Sequence, residues 1–403
     1  MRMRTMLMSI VVVLACLAAL SCAEPPRVMP QITEQQVTPL LVQIIGTPWP
    51  VLLSDGLEHM NYELFVTNVT ISPLIIESLE VIDASPSGTV LSRLDEKDII
   101  EKLTVLTILP PQETTILGPG QSGDLRINLS FTSKDKIPAS IDHVVSVRLA
   151  QPPSEPPIRS IERVARITPV TKEPPTIGPP LRGGGWLIFN VDGDSAHRKA
   201  TMPLNGSLFT SQRWAVDYNK FDEQMRLASG NLSLNESFPS YGQEVIAVAD
   251  GMVILTKDGS PDNKPGASPP MVSLDAATGN CIVQDIGGGY FAFYAHLIPG
   301  SLKVKEGQRV RRGDVLGRLG NSGNSDGPHL HFHIMAGRLP LASDGIPYVI
   351  DQFEIMGQVD PADFLSVLSN KEIALTPFKL LPSPRDEKRN HEMPSDYCVV
   401  RFP

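Results

Sequence analysis

An all-β chain is predicted by three observations. Short alternating apolar and polar segments recur from about Pro30 to Thr171, turn residues divide them, and a second strand-rich region follows a Pro/Gly-rich stretch near residue 180. At 403 residues the chain exceeds the usual size of one domain, so two domains are expected. The expected order is a signal peptide over 1–21, a β-sandwich over 30–173 and a linker over 174–185. A compact antiparallel β domain over 186–358 and a C-terminal tail over 359–403 complete it.

The first segment reads as an export signal. Arg2 and Arg4 give it a basic start, Met6 to Leu20 is an apolar run, and Ala19-Leu20-Ser21-Cys22 closes it with small residues. The run of 15 residues is too short to span a bilayer comfortably. A cysteine directly after small residues resembles the bacterial lipoprotein box, although Ala19 stands where Leu is usual. That resemblance implies acylation of Cys22 and anchoring of the chain in the cell envelope; without the lipid the protein is secreted. Without Arg2 and Arg4 the chain holds 33 basic against 44 acidic residues, which argues against nucleic acid as a partner. Past Cys22 only Cys281 and Cys398 remain, and an exported chain leaves both pairing and free thiols open.

Strand signals in the sandwich region include Tyr62 to Asn68, Leu79 to Ile82, Leu125 to Leu129 and His143 to Val147. The stretch from Asp55 to Asn68 resembles immunoglobulin-like domains of exported bacterial proteins. His59 and His143 are lone histidines there, and the region offers no cluster of ligands or nucleophiles. A structural or binding module is expected.

Pro174 to Pro180 followed by Gly183-Gly184-Gly185 has linker composition, stiff and then flexible. Strand patterns resume after Trp186, at Glu244 to Ala249, Met252 to Leu255 and Tyr290 to Leu297. Asp258 to Ser273 is rich in Pro, Gly and Ser and reads as a loop. Beyond Asp360, a short helical pattern over Pro361 to Leu368 gives way to charged, proline-punctuated sequence.

Function concentrates in Gly327-Pro328-His329-Leu330-His331-Phe332-His333. Five of the eight histidines lie between His197 and His333, and three alternate here. In a strand, residues i, i+2 and i+4 share a face, so the three imidazoles point one way while Leu330 and Phe332 face a core. Imidazole is the commonest neutral metal ligand and titrates near neutrality, so a metal or general-base site is the natural reading.

Asp217 in Gln212-Arg213-Trp214-Ala215-Val216-Asp217, His296 in Tyr294-Ala295-His296-Leu297, the segment Val304 to Gly317 and the His motif follow in an order that resembles the lysostaphin-like, LytM-type zinc metallopeptidases, over about Trp186 to Gly337. The resemblance implies one zinc per chain, with Asp217 and His331 as ligands and His296 and His329 as catalytic residues. Two imidazoles and a carboxylate would leave the fourth tetrahedral position to water, as catalytic zinc sites require. The family's first ligand is a His four residues before the Asp, where this chain has Arg213, which cannot bind a metal. His197, in Asp194-Ser195-Ala196-His197-Arg198, is the expected substitute. His333 stands where the family usually has Glu and is expected to support His331 rather than bind metal.

The activity so implied is that of an exported zinc endopeptidase acting on peptide cross-bridges of peptidoglycan. The alternative is a degenerate, non-catalytic module of the same fold that binds the wall or activates another hydrolase, a reading drawn from Arg213. Val304 to Gly317 also resembles half of a biotinyl or lipoyl carrier motif, but no Lys stands at a suitable turn. A serine or cysteine hydrolase lacks a Gly-x-Ser-x-Gly elbow and a base for Cys281.

Overall fold

Strand β1, Glu58–Asn68, alternates as its sequence predicts, with Met60, Tyr62, Leu64 and Val66 buried in one apolar core. In the computed structural model, which describes residues 37–106, 114–151, 156–191, 193–267, 273–383 and 385–403, β1 pairs antiparallel with β2, Ser122–Phe131. The expected signal peptide and Cys22 lie outside the described residues. Two five-stranded sheets supply that first core: β1 and β2 belong to one, and Leu74–Asp83 and Ile141–Leu149 belong to the other. His143 is spent inside it, donating from Nδ1 to the Ala165 carbonyl (2.8 Å) and accepting the Tyr62 hydroxyl at Nε2 (2.8 Å).

The second core is built on a 12-stranded sheet. Its central strands are β3 (Gly183–Phe189), β4 (Val216–Lys220), β5 (Tyr290–Leu297), β6 (Leu330–Met335), β7 (Val349–Gln358) and β8 (Cys398–Phe402). They run in the spatial order β7-β8-β3-β4-β6-β5, all antiparallel. Trp186, Trp214, Tyr218, Phe332 and Phe402 are buried in this core, together with Trp49, Val51 and Leu53 from the N-terminal region.

Two boundaries differ from expectation. In the anticipated linker, Thr176–Ile177 pairs with Val349–Ile350, and Gly183 already belongs to β3. The anticipated tail ends in β8, inserted between β3 and β7, because Cys398, Val399, Val400 and Phe402 are apolar enough to enter the core. Charged and proline-containing sequence just before β8 hid that strand. The helix read from Pro361 onward is α1, Pro361–Ser369, started by Pro in its first turn and capped by the Asp360 carboxylate, which accepts from the Ala362 amide (2.8 Å). Cys281 and Cys398 are both buried and free.

The polar faces of β1 and β2 are covered as well. Glu63 and Asp124 are fully buried and Arg126 is 1% exposed, because the segment from Gly193 to Arg213 lies across them. Glu63 accepts from Arg198 (2.8 Å to Nη2) and from Arg213 (3.0 Å to Nε). Arg126 donates to Asp194 (3.2 Å), and Thr201 donates to Asp124 (2.7 Å). Gly46 makes room for this contact: its φ is +76°, and a Cβ there would stand 2.3 Å from the Arg213 guanidinium.

Candidate metal centre

Sheet register brings the first two residues of the site together. Asp217 on β4 lies directly opposite His331 on β6, and directly opposed residues share a face with their Cβ atoms about 5 Å apart. Asp217 Oδ1 is 3.1 Å from His331 Nδ1. The six residues of β6 are all buried, so the face that carries His331 and His333 is covered rather than solvated.

The third residue arrives by the loop after β3. Its path over the first sheet, pinned by Asp194 and Arg198, delivers His197 to Asp217, with Nε2 3.2 Å from Oδ2. The other ring nitrogen of His197 donates toward the carbonyls of Asn190 (3.1 Å) and Ala215 (3.2 Å), which leaves Nε2 facing the carboxylate. Donor atoms of His197, Asp217 and His331 all lie within 4.8 Å of one another. Tetrahedral zinc with bonds of about 2.0 to 2.2 Å needs its donors roughly 3.3 to 3.6 Å apart. The set fits in atom type, and His197 Nε2 and His331 Nδ1 stand 3.2 and 3.1 Å from the Asp217 carboxylate, close to that spacing. Arg213 is turned away, bound to Glu63 and to the Gly345 carbonyl (3.2 Å).

Two further imidazoles adjoin the three. His329 donates from Nδ1 to the Gly327 carbonyl (2.9 Å), and its Nε2 stands 3.4 Å from Asp217 Oδ1. His296 donates from Nδ1 to the Ser322 carbonyl (2.7 Å), and its ring centroid is 4.9 Å from that of His329. Ala295 is paired with His331, so strict alternation would turn His296 to the opposite face. A left-handed φ of +63° breaks the alternation at His296 and brings its ring to the site, the kind of local strain that clusters at functional positions.

Two supporting groups complete the arrangement. His333 Nδ1 is 3.1 Å from His331 Nε2, placed to accept its proton, so that Nδ1 of His331 is the nitrogen free to face Asp217. Asn190, which the sequence reading missed, donates to Asp217 Oδ2 (2.8 Å). It has a left-handed φ of +65°, and nothing in its sequence context signals the role.

Burial dominates the electrostatics and divides the histidines. It pushes His331 down to about 4, and it pushes His296 and His333 well below the usual imidazole value, helped by neighbouring rings. For His197 and His329 burial acts the same way, but the Asp217 charge and hydrogen bonds outweigh it and raise both. Burial alone would raise Asp217; His197 and His329 together hold it well below the usual carboxylate range. All five histidines and Asp217 line one cavity of about 410 Å³.

Part of the chain is similar to known proteins. Residues 236–343 match peptidase family M23, a stretch that includes His296, His329 and His331 and begins after His197 and Asp217. Over 100 residues the chain is 34% identical to the peptidoglycan DD-endopeptidase ShyA of Vibrio cholerae, covering 25% of this chain and 19% of that protein. Among solved structures, the catalytic domain of the M23 protein EnpA from Enterococcus faecalis aligns with 41% of this chain and 92% of its own, at 18% identity and a TM-score of 0.25. The catalytic domain of lysostaphin from Staphylococcus simulans aligns with 40% and 84%, at 19% identity and a TM-score of 0.21. Over residues 236–343 the chain is thus similar to the LytM-type, M23 peptidases.

Proposed function

We propose that this M23-like domain makes the protein an exported zinc endopeptidase that cleaves peptide bonds in peptidoglycan cross-bridges. The observation that carries the reading is the convergence of His197, Asp217 and His331, each with a ligand atom within 4.8 Å of the others, and of two more imidazoles beside them. These three residues would hold zinc, and zinc bound there supplies Lewis acidity to the attacking water and to the scissile carbonyl. His329 and His296 each have Nδ1 tied to a backbone carbonyl, so each offers Nε2 to the substrate side. A neutral ring accepts the proton of the attacking water at Nε2, and a protonated ring donates from Nε2 to the oxyanion of the tetrahedral state. Asn190 and His333 orient Asp217 and His331. The non-catalytic alternative drew on Arg213; His197 beside Asp217 favours the enzyme.

Purified protein is expected to hold one zinc per chain and to clear a suspension of cell walls, with clearing lost on chelation and restored by zinc. Wall binding without cleavage, unaffected by chelator, would sink the reading in favour of the non-catalytic module.

Export and anchoring rest on Arg2, Arg4, the apolar run and Cys22. Cys22→Ser is expected to abolish incorporation of labelled palmitate and to move the protein from the membrane fraction to the soluble one. Unchanged labelling and fractionation would remove the lipid anchor.

A further inference from the structure

Exposed aliphatic side chains gather at one end of the sandwich. Asn68, the last residue of β1, ties that end together: its side-chain amide donates to the carbonyls of Ser72 (2.9 Å) and Leu117 (2.8 Å). The Val69 amide donates to the Pro39 carbonyl (3.1 Å), the Ala150 amide to that of Pro73 (2.8 Å) and the Leu149 amide to that of Ile158 (3.0 Å), so segments of both sheets meet here. Val37 and Ile71 are 96% and 97% exposed, and Val69, Ile116 and Ile158 are exposed with them. Single apolar residues scattered over a surface are ordinary, whereas a group at one end marks a contact surface.

Little charge interrupts the group. In 37–41, 68–75, 114–121, 148–151 and 156–159 the only charged residues are Arg148 and Arg159, and both pair with Glu77 (2.9 and 3.0 Å). The other end of β1 differs. There Val51–Leu52 pairs with Glu58 and His59, Val51 enters the second core with Trp49 and Leu53, and Lys134 forms an exposed ion pair with Glu173. The 11 residues of β1 set the two ends roughly 35 Å apart. The apolar end therefore faces away from that junction.

The point where the chain enters says what covers it. Val37, at this end, follows Cys22 by about fifteen residues, and an extended chain of that length reaches at most about 50 Å. We propose that this end of the sandwich is a membrane-docking surface, which inserts Val37, Val69 and Ile71 into the interface of a phospholipid bilayer. The proposal takes its tether from the anchored reading of Cys22 and goes beyond it. A lipid on Cys22 limits distance from the bilayer but not orientation; the aliphatic group fixes which end of the sandwich meets the lipid, and adds a second membrane signal to the first.

A reporter at position 71 tests this. Trp49, Trp186 and Trp214 are buried, so a tryptophan added at the surface can be read beside them. Full-length Ile71→Trp protein is mixed with vesicles of equal parts phosphatidylethanolamine and phosphatidylglycerol, with and without bromine on the acyl chains. Brominated vesicles are expected to quench the added tryptophan and to leave that of Lys136→Trp, at the other end of the sandwich, unquenched. Val37→Asp with Val69→Asp should lower the lipid affinity read at position 71 about tenfold or more. Equal quenching at both positions, no quenching at 71, or quenching that ignores the two aspartates would overturn the docking surface. A blue shift at 71 that needs no lipid and grows with protein concentration would assign the group to contact with a second copy, and overturn it too. Repeating the measurement on Cys22→Ser protein keeps the two readings apart. Palmitate labelling decides the anchor, whereas quenching at 71 by saturating lipid in the unlabelled chain supports the docking surface, and its absence overturns it.

Discussion

Glu63→Ala is expected to destabilise the protein by about 3 to 5 kcal/mol, the usual cost of leaving buried charge without its partner. Glu63 is fully buried, and it is the shared acceptor of two guanidiniums that are themselves almost entirely buried. Burial by itself would raise its carboxyl, but Arg213 and Arg198 outweigh that and hold it ionised. Arg198 has other acceptors, the carbonyls of Gly193 (2.9 Å) and Tyr62 (3.1 Å), yet neither is charged. Removing the carboxylate therefore leaves Arg198 without a paired anion in a low-dielectric contact and leaves Arg213 with only Asp344, 3.8 Å away. Because Arg198 follows His197 directly, the loss should reach the metal centre, and zinc affinity should fall along with the unfolding midpoint. Denaturant unfolding with and without zinc measures both. A change within 0.5 kcal/mol, the range of an ordinary surface substitution, would mean that this contact does not organise the loop.

His331→Ala is the second large effect: bound zinc and wall clearing should both fall to the level of chelated protein. Changing a residue that only supports a ligand costs about 10- to 100-fold in metal affinity, and direct loss of one of three protein ligands should exceed that. The paired strands β4, β6 and β5 have extensive apolar contacts besides this side chain, so the fold should survive. Zinc per chain by atomic absorption, alongside circular dichroism, separates ligand loss from unfolding. Retention of one zinc per folded chain would remove His331 from the ligand set.

The local grammar of the chain was legible, and its long-range contacts were not. Alternation identified β1 and the His motif of β6, because period-2 patterning needs only neighbours in sequence. The order of Asp217, His296 and the His motif suggested one site, and strand register explains why two of them meet: β4 and β5 flank β6. His197 could be only a substitute inferred from the absence of a ligand at Arg213. What places it is a polar face of β1 and β2, and Glu63 on an alternating strand reads as a solvent-facing residue. The closing strand β8 was hidden by the charged residues before it. Asn190 and the exposed apolar end of the sandwich depend on parts of the chain that meet only in three dimensions, so no spacing announced them.

The central claim is that His197, Asp217 and His331 form the metal site, with His197 in place of a ligand at position 213. Zinc affinity of His197→Ala, measured by competition with a chromogenic chelator on folded protein, tests it most directly. A fall of more than about 100-fold relative to the parent chain is expected. Undiminished affinity, with one zinc still held per chain, would contradict it.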